Sequence, residues 1–358
     1  MSKANLSPLK ESNHYSLDDA KAIILNDLKS GKSISSVEHI YQSLSHAIAE
    51  NNLATIWPPI KKWWSKLTQI LYFESDKQLL ERMISSNGSI FDKKLDQWIE
   101  SDKKIDPVDA KICSLFLQNL YQHDVNLRAP FKSFIGIDSG NTYRFTIQLT
   151  KPRPKMMVKI FIRINRQQIF PLSSFGLNKN DLPQKMIGNI IISGATGSGK
   201  TTLLKSFLAS EQGTPHHLII EDLNEIGTIS KNATQLCSTD LGVEMRSLLV
   251  NGLRMSPDKI VLGEIRGTEI VPYLMALNSG HLGSLATIHA NSATETIYRL
   301  TELLQIFGNF GDNTFSQMMK IISRNIHYVI FMENKMVKEI IKVLGSSDKG
   351  TPYFERII

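Results

Sequence analysis

The segment Gly194-Ala195-Thr196-Gly197-Ser198-Gly199-Lys200-Thr201-Thr202 fits the pattern G-x-x-x-x-G-K-[ST], with the apolar run NIIIS before it and the helix-forming run TTLLKSFLAS overlapping its end. Strand, glycine-rich loop and helix, in that order, are the context this pattern requires. Glycines let consecutive backbone N–H groups curl around phosphate oxygens, and the helix N-terminus adds the positive end of its dipole. Lys200 then reaches β- and γ-phosphates, and the Thr201 hydroxyl is placed to hold Mg2+. Residues Gly194 to Thr202 are therefore expected to form a P-loop that binds ATP or GTP.

Beyond Met186, short apolar runs alternate with helical stretches. HLIIE, KIVLG and SLATIH follow NIIIS as strands, and helices are expected near 243–254 and 268–278. Such alternation gives a parallel sheet covered on both faces, an α/β nucleotide-binding core. Ligands of open parallel sheets gather outside the carboxyl ends of the strands, so the polar residues just past each run are the candidates. Glu221, Asp222 and Glu225 follow the second run; they either face Mg2+ or an attacking water, or are solvated loop carboxylates. Ile260-Val261-Leu262-Gly263-Glu264 has the form of a Walker B strand, ending in Gly-Glu where many P-loop enzymes have Asp. Glu264 is the leading candidate for the carboxylate that orients water and holds the metal shell. His289 closes the fourth run, where it either reports the γ-phosphate by hydrogen bonding or is a packed polar residue.

The chain has 358 residues, which suits two domains better than one. Apolar residues are 42% and charged residues 21%, ordinary globular usage that excludes a disordered or collagen-like chain. Lysines and arginines number 41 against 34 acidic residues, a net +7 that favours a polyanion or an anionic membrane face without specifying either. Cys113 and Cys237 lie far apart and outside any C-x-x-C spacing, so neither a disulfide framework nor a zinc site is supported and a reducing cytoplasm fits. The N-terminal MSKANLSPLKESNHYS has no apolar core of signal-peptide length, and no later stretch is long and apolar enough to span a bilayer. Membrane contact is expected to be peripheral.

Towards the N-terminus, Ser16 with Asp19 reads as a capping pair opening a short helix that Gly31 can close. Val37, Ile40, Tyr41, Leu44, Ala47 and Ile48 recur at helical spacing. In WPPIKKWWSKLTQILY, from Trp57 to Tyr72, Ile60, Trp63, Trp64, Leu67 and Leu71 share one helical face, with Lys61, Lys62 and Lys66 mostly off it. A basic, Trp-bearing helix of this kind can lie in a lipid interface. The blander reading is that it covers a core. A further helix is expected from about Pro107 to Tyr121, and YRFTIQL and VKIFIRI read as strands. The expected division is a helical appendage over 1–74, a smaller α+β domain over 75–165, a linker over 166–185 rich in Pro, Ser, Asn and Lys, and the P-loop domain over 186–358.

Taken together, GATGSGKTT, IIEDLNEI, LRMSPDKIVLGEIRG and SGHLGSLATIHANS, in this order, resemble the four signature boxes of the type II and type IV secretion traffic ATPases. The stretches FIGIDSGNTYRFTIQL and VKIFIRI resemble that family's two arginine-bearing strands. The resemblance implies a homohexameric ring, a RecA-like C-terminal domain, a flexible linker, and ATP with Mg2+ as the ligands. It places Lys200 and Thr201 in the Walker A pair, Glu221, Asp222 and Glu225 in the acidic box, Glu264 in the Walker B position and His289 in the histidine box. It assigns Arg144 and Arg163 to the arginines that reach phosphate. It also implies a cytoplasmic motor working on inner-membrane secretion, conjugation or pilus components, with no sequence-specific nucleic-acid partner. The paired C-x-x-C zinc element of many relatives is absent, which favours the VirB-like and CpaF-like branch. Two other functions stay open: a RecA-like nucleic-acid motor, given the basic charge, and a nucleotide-gated assembly platform with little turnover.

Overall fold

The computed structural model describes residues 15–74, 76, 78–94, 97–150, 157–166, 168–177, 186–227, 229, 231–309 and 314–358. The first fourteen residues and, within the expected linker, 167 and 178–185 therefore lie outside the described residues. The chain divides into two compact units, Met1–Arg166 and Gln167–Ile358.

The first unit begins with α1 (Leu17–Lys29), α2 (Val37–Ser45) and α3 (Glu50–Leu71). The capping pair is present: Asp19 N–H donates to Ser16 Oγ at 3.2 Å, and Ser16 N–H donates back to Asp19 Oδ2 at 2.9 Å. Three strands, β1 (Leu79–Ser85), β2 (Ser89–Lys94) and β3 (Gln97–Lys104), are followed by α4 (Pro107–Leu120) and then by β4 (Phe131–Asp138), β5 (Asn141–Thr150) and β6 (Met157–Asn165). They form one antiparallel sheet in the order β3-β2-β1-β6-β5-β4. Alternate residues of these strands point to opposite faces. Phe134, Phe145, Ile147, Ile160 and Ile162 turn inward and share a single apolar cluster with Ile24, Leu44, Ile60 and Leu67 of the first three helices and Ile112 and Phe116 of α4.

Helix α3 differs from its sequence reading in two ways. It starts at Glu50, so Pro58 and Pro59 lie in its interior, where their missing N–H groups leave the carbonyls of Ala54 and Thr55 without helical donors. Ala54 and Thr55 are exposed, so water can serve those carbonyls, while buried Leu53, Ile56 and Ile60 fix the helix on both sides of the break. The second difference corrects the lipid reading. Trp63 and Trp64 are buried; Trp63 Nε1 donates to Asp109 Oδ1 at 3.0 Å, and Trp64 packs edge-on against Phe116 with ring centroids 4.9 Å apart. Asp109 also pairs with Lys21 at 3.0 Å. The indoles serve the unit's own core and are not available to a membrane.

The second unit opens with a short 3-10 turn, Leu172–Phe175, followed by β7 (Ile190–Gly194), α5 (Lys200–Ser210), β8 (His217–Glu221), β9 (Ala233–Cys237), α6 (Ser238–Leu241) and α7 (Met245–Gly252). Then come β10 (Lys259–Leu262), α8 (Ile270–Leu277), β11 (Leu285–Ile288), α9 (Ala293–Phe307), α10 (Phe315–Asn325), β12 (Tyr328–Glu333), β13 (Met336–Ser346) and β14 (Pro352–Arg356). The eight strands lie in the order β14-β13-β12-β7-β11-β10-β8-β9; the pairs from β12 to β9 are parallel, and β13 and β14 add an antiparallel edge. Ile191, Leu218, Ile220, Ile260 and Leu262 face α7 to α10, while Ile190, Ile192, Ile219 and Val261 face α5 and the 3-10 turn. The sheet is buried on both faces, which is why its strands read as continuous apolar runs. Among the described residues, no helix is long and apolar enough to cross a membrane.

Candidate functional site

Strand order brings the sequence motifs together. Because β7, β11, β10 and β8 are consecutive parallel neighbours, their carboxyl ends place the P-loop, His289, Glu264 and the acidic loop side by side. The loop from β7 is built for a close turn. Gly194 has φ +148°, and a Cβ there would lie 2.3 Å from the Met332 carbonyl oxygen. Gly199, at φ +98°, opens α5 without any side-chain cap. The N–H groups of Thr201 and Thr202 in the first turn therefore point out of the helix end, where an anion is favoured. Ser198 Oγ, also in this loop, is buried and makes no hydrogen bond within the protein. These features fit a bound polyphosphate.

Lys200 is buried and folds back over the loop, donating to the carbonyls of Gly194 and Ala195, each at 2.9 Å. Its Nζ also lies 3.1 Å from His289 Nδ1. Nδ1 also lies 3.2 Å from the Gly194 carbonyl oxygen, so it accepts from the ammonium in one tautomer and donates to the carbonyl in the other. On the other side of the ring, His289 Nε2 lies 2.8 Å from Glu264 Oε1. The other carboxylate oxygen, Oε2, accepts from Arg266 Nη2 at 2.5 Å, and Arg266 Nη1 lies 3.6 Å from Asp222 Oδ2. Lys200, His289, Glu264, Arg266 and Asp222 thus form one connected chain of charged and polar groups across the strand ends.

The backbone fixes the middle of this chain. Past the end of β10, Thr287 Oγ1 donates to the Gly263 carbonyl at 2.5 Å and Ile265 N–H donates to the Thr287 carbonyl at 2.8 Å, so Glu264 is held against the strand that delivers His289. Glu269, itself buried, accepts from the N–H groups of Arg266 and Gly267 and pins the turn that carries Arg266. Arg266 and Glu269 escaped the sequence reading. Neither has a period or spacing to single it out, although Arg266 lies within the quoted stretch LRMSPDKIVLGEIRG.

The acidic box splits. Glu221 turns away from this chain of groups: its Oε2 accepts from the N–H groups of Glu225 and Ile226 at 3.0 and 2.9 Å, and its Oε1 from Gln235 Nε2 at 2.9 Å. Asp222, more exposed, is the acidic-box residue that reaches Arg266. Burial raises the Glu221 carboxyl from an ordinary 4.5 to about 7, against the hydrogen bonds from Gln235, Ile226 and Glu225 that pull it down. The folded protein therefore keeps this proton up to about pH 7, whereas the unfolded chain releases it near pH 4.5. Across that window the unfolded state binds fewer protons, so stability falls as pH rises. Thermal midpoints taken between pH 4.5 and pH 7 should show this slope, and Glu221→Gln should flatten it; equal slopes for the two proteins would place the titration elsewhere.

Arg144 and Arg163 belong to the first unit, where they are directly opposed in the β5–β6 register. Arg163 Nε lies 4.0 Å from Glu81 Oε1 on β1, so the two guanidinium groups share one sheet face with a carboxylate beside them. Among the described residues, no group of three or more His, Cys, Asp or Glu side chains is arranged to hold a metal ion.

A P-loop at the end of an inner strand of a parallel sheet, with a glutamate and a histidine at the ends of the next two strands, defines a P-loop ATPase domain of the RecA-like class. The family model described as type II/IV secretion system protein matches residues 156–336, and the chain belongs to that family. Among its relatives, the conjugal transfer protein TrbB of Rhizobium radiobacter is 26% identical over 288 residues, covering 75% of this chain and 85% of that protein. The type IV secretion system protein VirB11 of Bartonella quintana is 36% identical over 129 residues, 35% of this chain and 36% of its own length. In structure, the chain is similar to the Legionella pneumophila ATPase DotB, with a TM-score of 0.57 at 20% identity over 82% of this chain and 79% of that one. It is also similar to the pilus retraction motor PilT with bound ADP, with a TM-score of 0.55 at 19% identity over 80% and 81% of the two chains. These two likenesses show the fold.

Proposed function

We propose that this chain is an ATP-hydrolysing motor that energises a type IV secretion, conjugation or pilus-assembly machine from the inner face of a bacterial inner membrane, working as a homohexamer. The observation that carries the hydrolytic reading is the contact of His289 with both Lys200 and Glu264, which ties the phosphate-binding loop to the water-orienting carboxylate. Family membership and the conjugal transfer and type IV secretion relatives support the machine it serves.

In this reading the phosphates take the Lys200 ammonium from the Gly194 and Ala195 carbonyls. The N–H groups of the P-loop and of the first turn of α5 hold the phosphate oxygens. Thr201 would hold Mg2+, with Asp222 and Glu264 on its water shell, and the ion would neutralise charge on the β- and γ-phosphate oxygens. Glu264 orients the attacking water and receives its proton. His289, with its Nδ1 beside Lys200 and its Nε2 beside Glu264, reports whether the γ-phosphate is in place. Purified protein should turn over ATP with Mg2+ and without DNA, across salt concentrations. Turnover that appears only when DNA is added, and fades steeply with salt, would instead identify a nucleic-acid motor.

Arg144 and Arg163 are proposed to supply positive charge to the transferring phosphate, as the resemblance of their strands implies. An arginine finger contributes about a thousandfold or more to phosphoryl transfer. The double change Arg144→Ala, Arg163→Ala should therefore lower kcat far more than it weakens ATP binding, because the charge matters most in the transition state. Equal kcat for the variant and the parent would leave these side chains as surface charges of an antiparallel sheet.

A further inference from the structure

His289 to Ser292 is a short bridge between two buried points, Ile288 at the end of β11 and Ala293 at the start of α9. The position of the imidazole therefore depends on how the first turn of α9 is held as much as on β11. Two anchors hold that turn. Buried Thr296 makes a 2.7 Å hydroxyl contact with Ser193, the residue just before the P-loop, and donates to the Ser292 carbonyl at 2.8 Å. The second anchor comes from the antiparallel edge of the sheet. Glu339 on β13 accepts from the Ala293 N–H through Oε2 at 3.3 Å, and its Oε1 lies 2.5 Å from Arg356 Nη2 on β14.

A carboxylate at this end of α9 is favoured by the helix dipole, and it serves an N–H that has no acceptor inside the helix. With Glu339 in place Ala293 is fully buried. Glu339 is far from the phosphate-binding loop in sequence and touches no group of the proposed reaction. The route from its carboxylate to the chemistry that its hydrogen bond marks is the α9 turn and the bridge to His289.

We propose that Glu339 is a positioning residue for His289, making the β13–β14 hairpin part of the machinery that sets the hydrolytic rate. The proposal rests on the hydrolytic reading of His289 given above. Small displacements of a positioned group cost large factors in rate, so Glu339→Ala should lower kcat by about tenfold. Because ground-state nucleotide contacts are untouched, KM for ATP should stay within about twofold. Glu339→Gln keeps an oxygen acceptor for the Ala293 N–H and should restore most of the rate.

The test is a double-mutant cycle on the full chain, with Glu339→Ala and His289→Ala made singly and together and steady-state ATP turnover measured for each. The expected result is that Glu339→Ala costs nothing further once His289 is alanine. Losses that multiply in the double variant would overturn the proposal and leave Glu339 a purely structural cap, as would an unchanged kcat for Glu339→Ala. Full turnover by His289→Ala alone would remove the reading of His289 itself and this proposal with it, an outcome distinct from the other two. Should the alanine variant not fold, Glu339→Met keeps the side-chain volume, removes the acceptor and carries the same cycle.

Discussion

Lys200→Ala should abolish ATP turnover in a protein that still folds, with a loss of at least about a thousandfold, since removing even one preorganised donor from a developing charge costs 10²- to 10³-fold. Lys200 supplies more than one donor. Its ammonium contacts both P-loop carbonyls and His289 Nδ1, so its loss removes the cation proposed for the β- and γ-phosphates and a partner of the imidazole. Phosphate release and binding of a fluorescent nucleotide should both collapse, with thermal unfolding checking that the protein remains folded. Wild-type turnover by a folded Lys200→Ala protein would falsify the site assignment.

The second large effect is expected at Glu264. Glu264→Gln keeps the shape of the side chain and one oxygen acceptor for Arg266, but loses the carboxylate proposed to take the proton of the attacking water. Nucleotide affinity should be retained while the single-turnover rate falls by roughly a hundredfold or more. The variant should therefore hold ATP without cleaving it. A normal chemical rate combined with failed binding would make Glu264 a structural partner of Arg266. Glu221 is poorly placed to substitute, since both of its oxygens are taken by its own loop and by Gln235.

Legibility in the sequence followed the physics of each element. NIIIS, HLIIE, KIVLG and SLATIH were readable because a sheet buried on both faces demands unbroken apolar runs, and their shared direction put the candidate groups at one end. The β12–β13 hairpin was not readable. Its turn uses Asn334 and Lys335, both at positive φ, where the usual signal would be a glycine in the second place. Within the acidic box, Glu221 and Asp222 are adjacent in sequence and differ in their contacts, because consecutive residues at a strand end point to different sides. The helix read over Trp57–Tyr72 extends back to Glu50 in the structure, past Pro58 and Pro59, because packing of Leu53 and Ile56 holds a turn that local propensity disfavours. Arg266, Glu269 and Glu339 depend on contacts brought about by topology, which no local pattern encodes.

The proline pair in α3 also bears on how the first unit comes into being. Helix growth from one end proceeds by adding a hydrogen bond per residue, and at Pro58 and Pro59 two successive additions are missing. An isolated peptide of this sequence would stall there. The segment becomes continuous because Leu53 and Ile56 before the break, and Ile60 and Trp63 after it, enter the same apolar cluster as strands drawn from residues up to Ile164. Collapse of distant parts of the chain must accompany formation of the helix. The first unit is thus suited to all-or-none folding in which α3 consolidates together with the sheet.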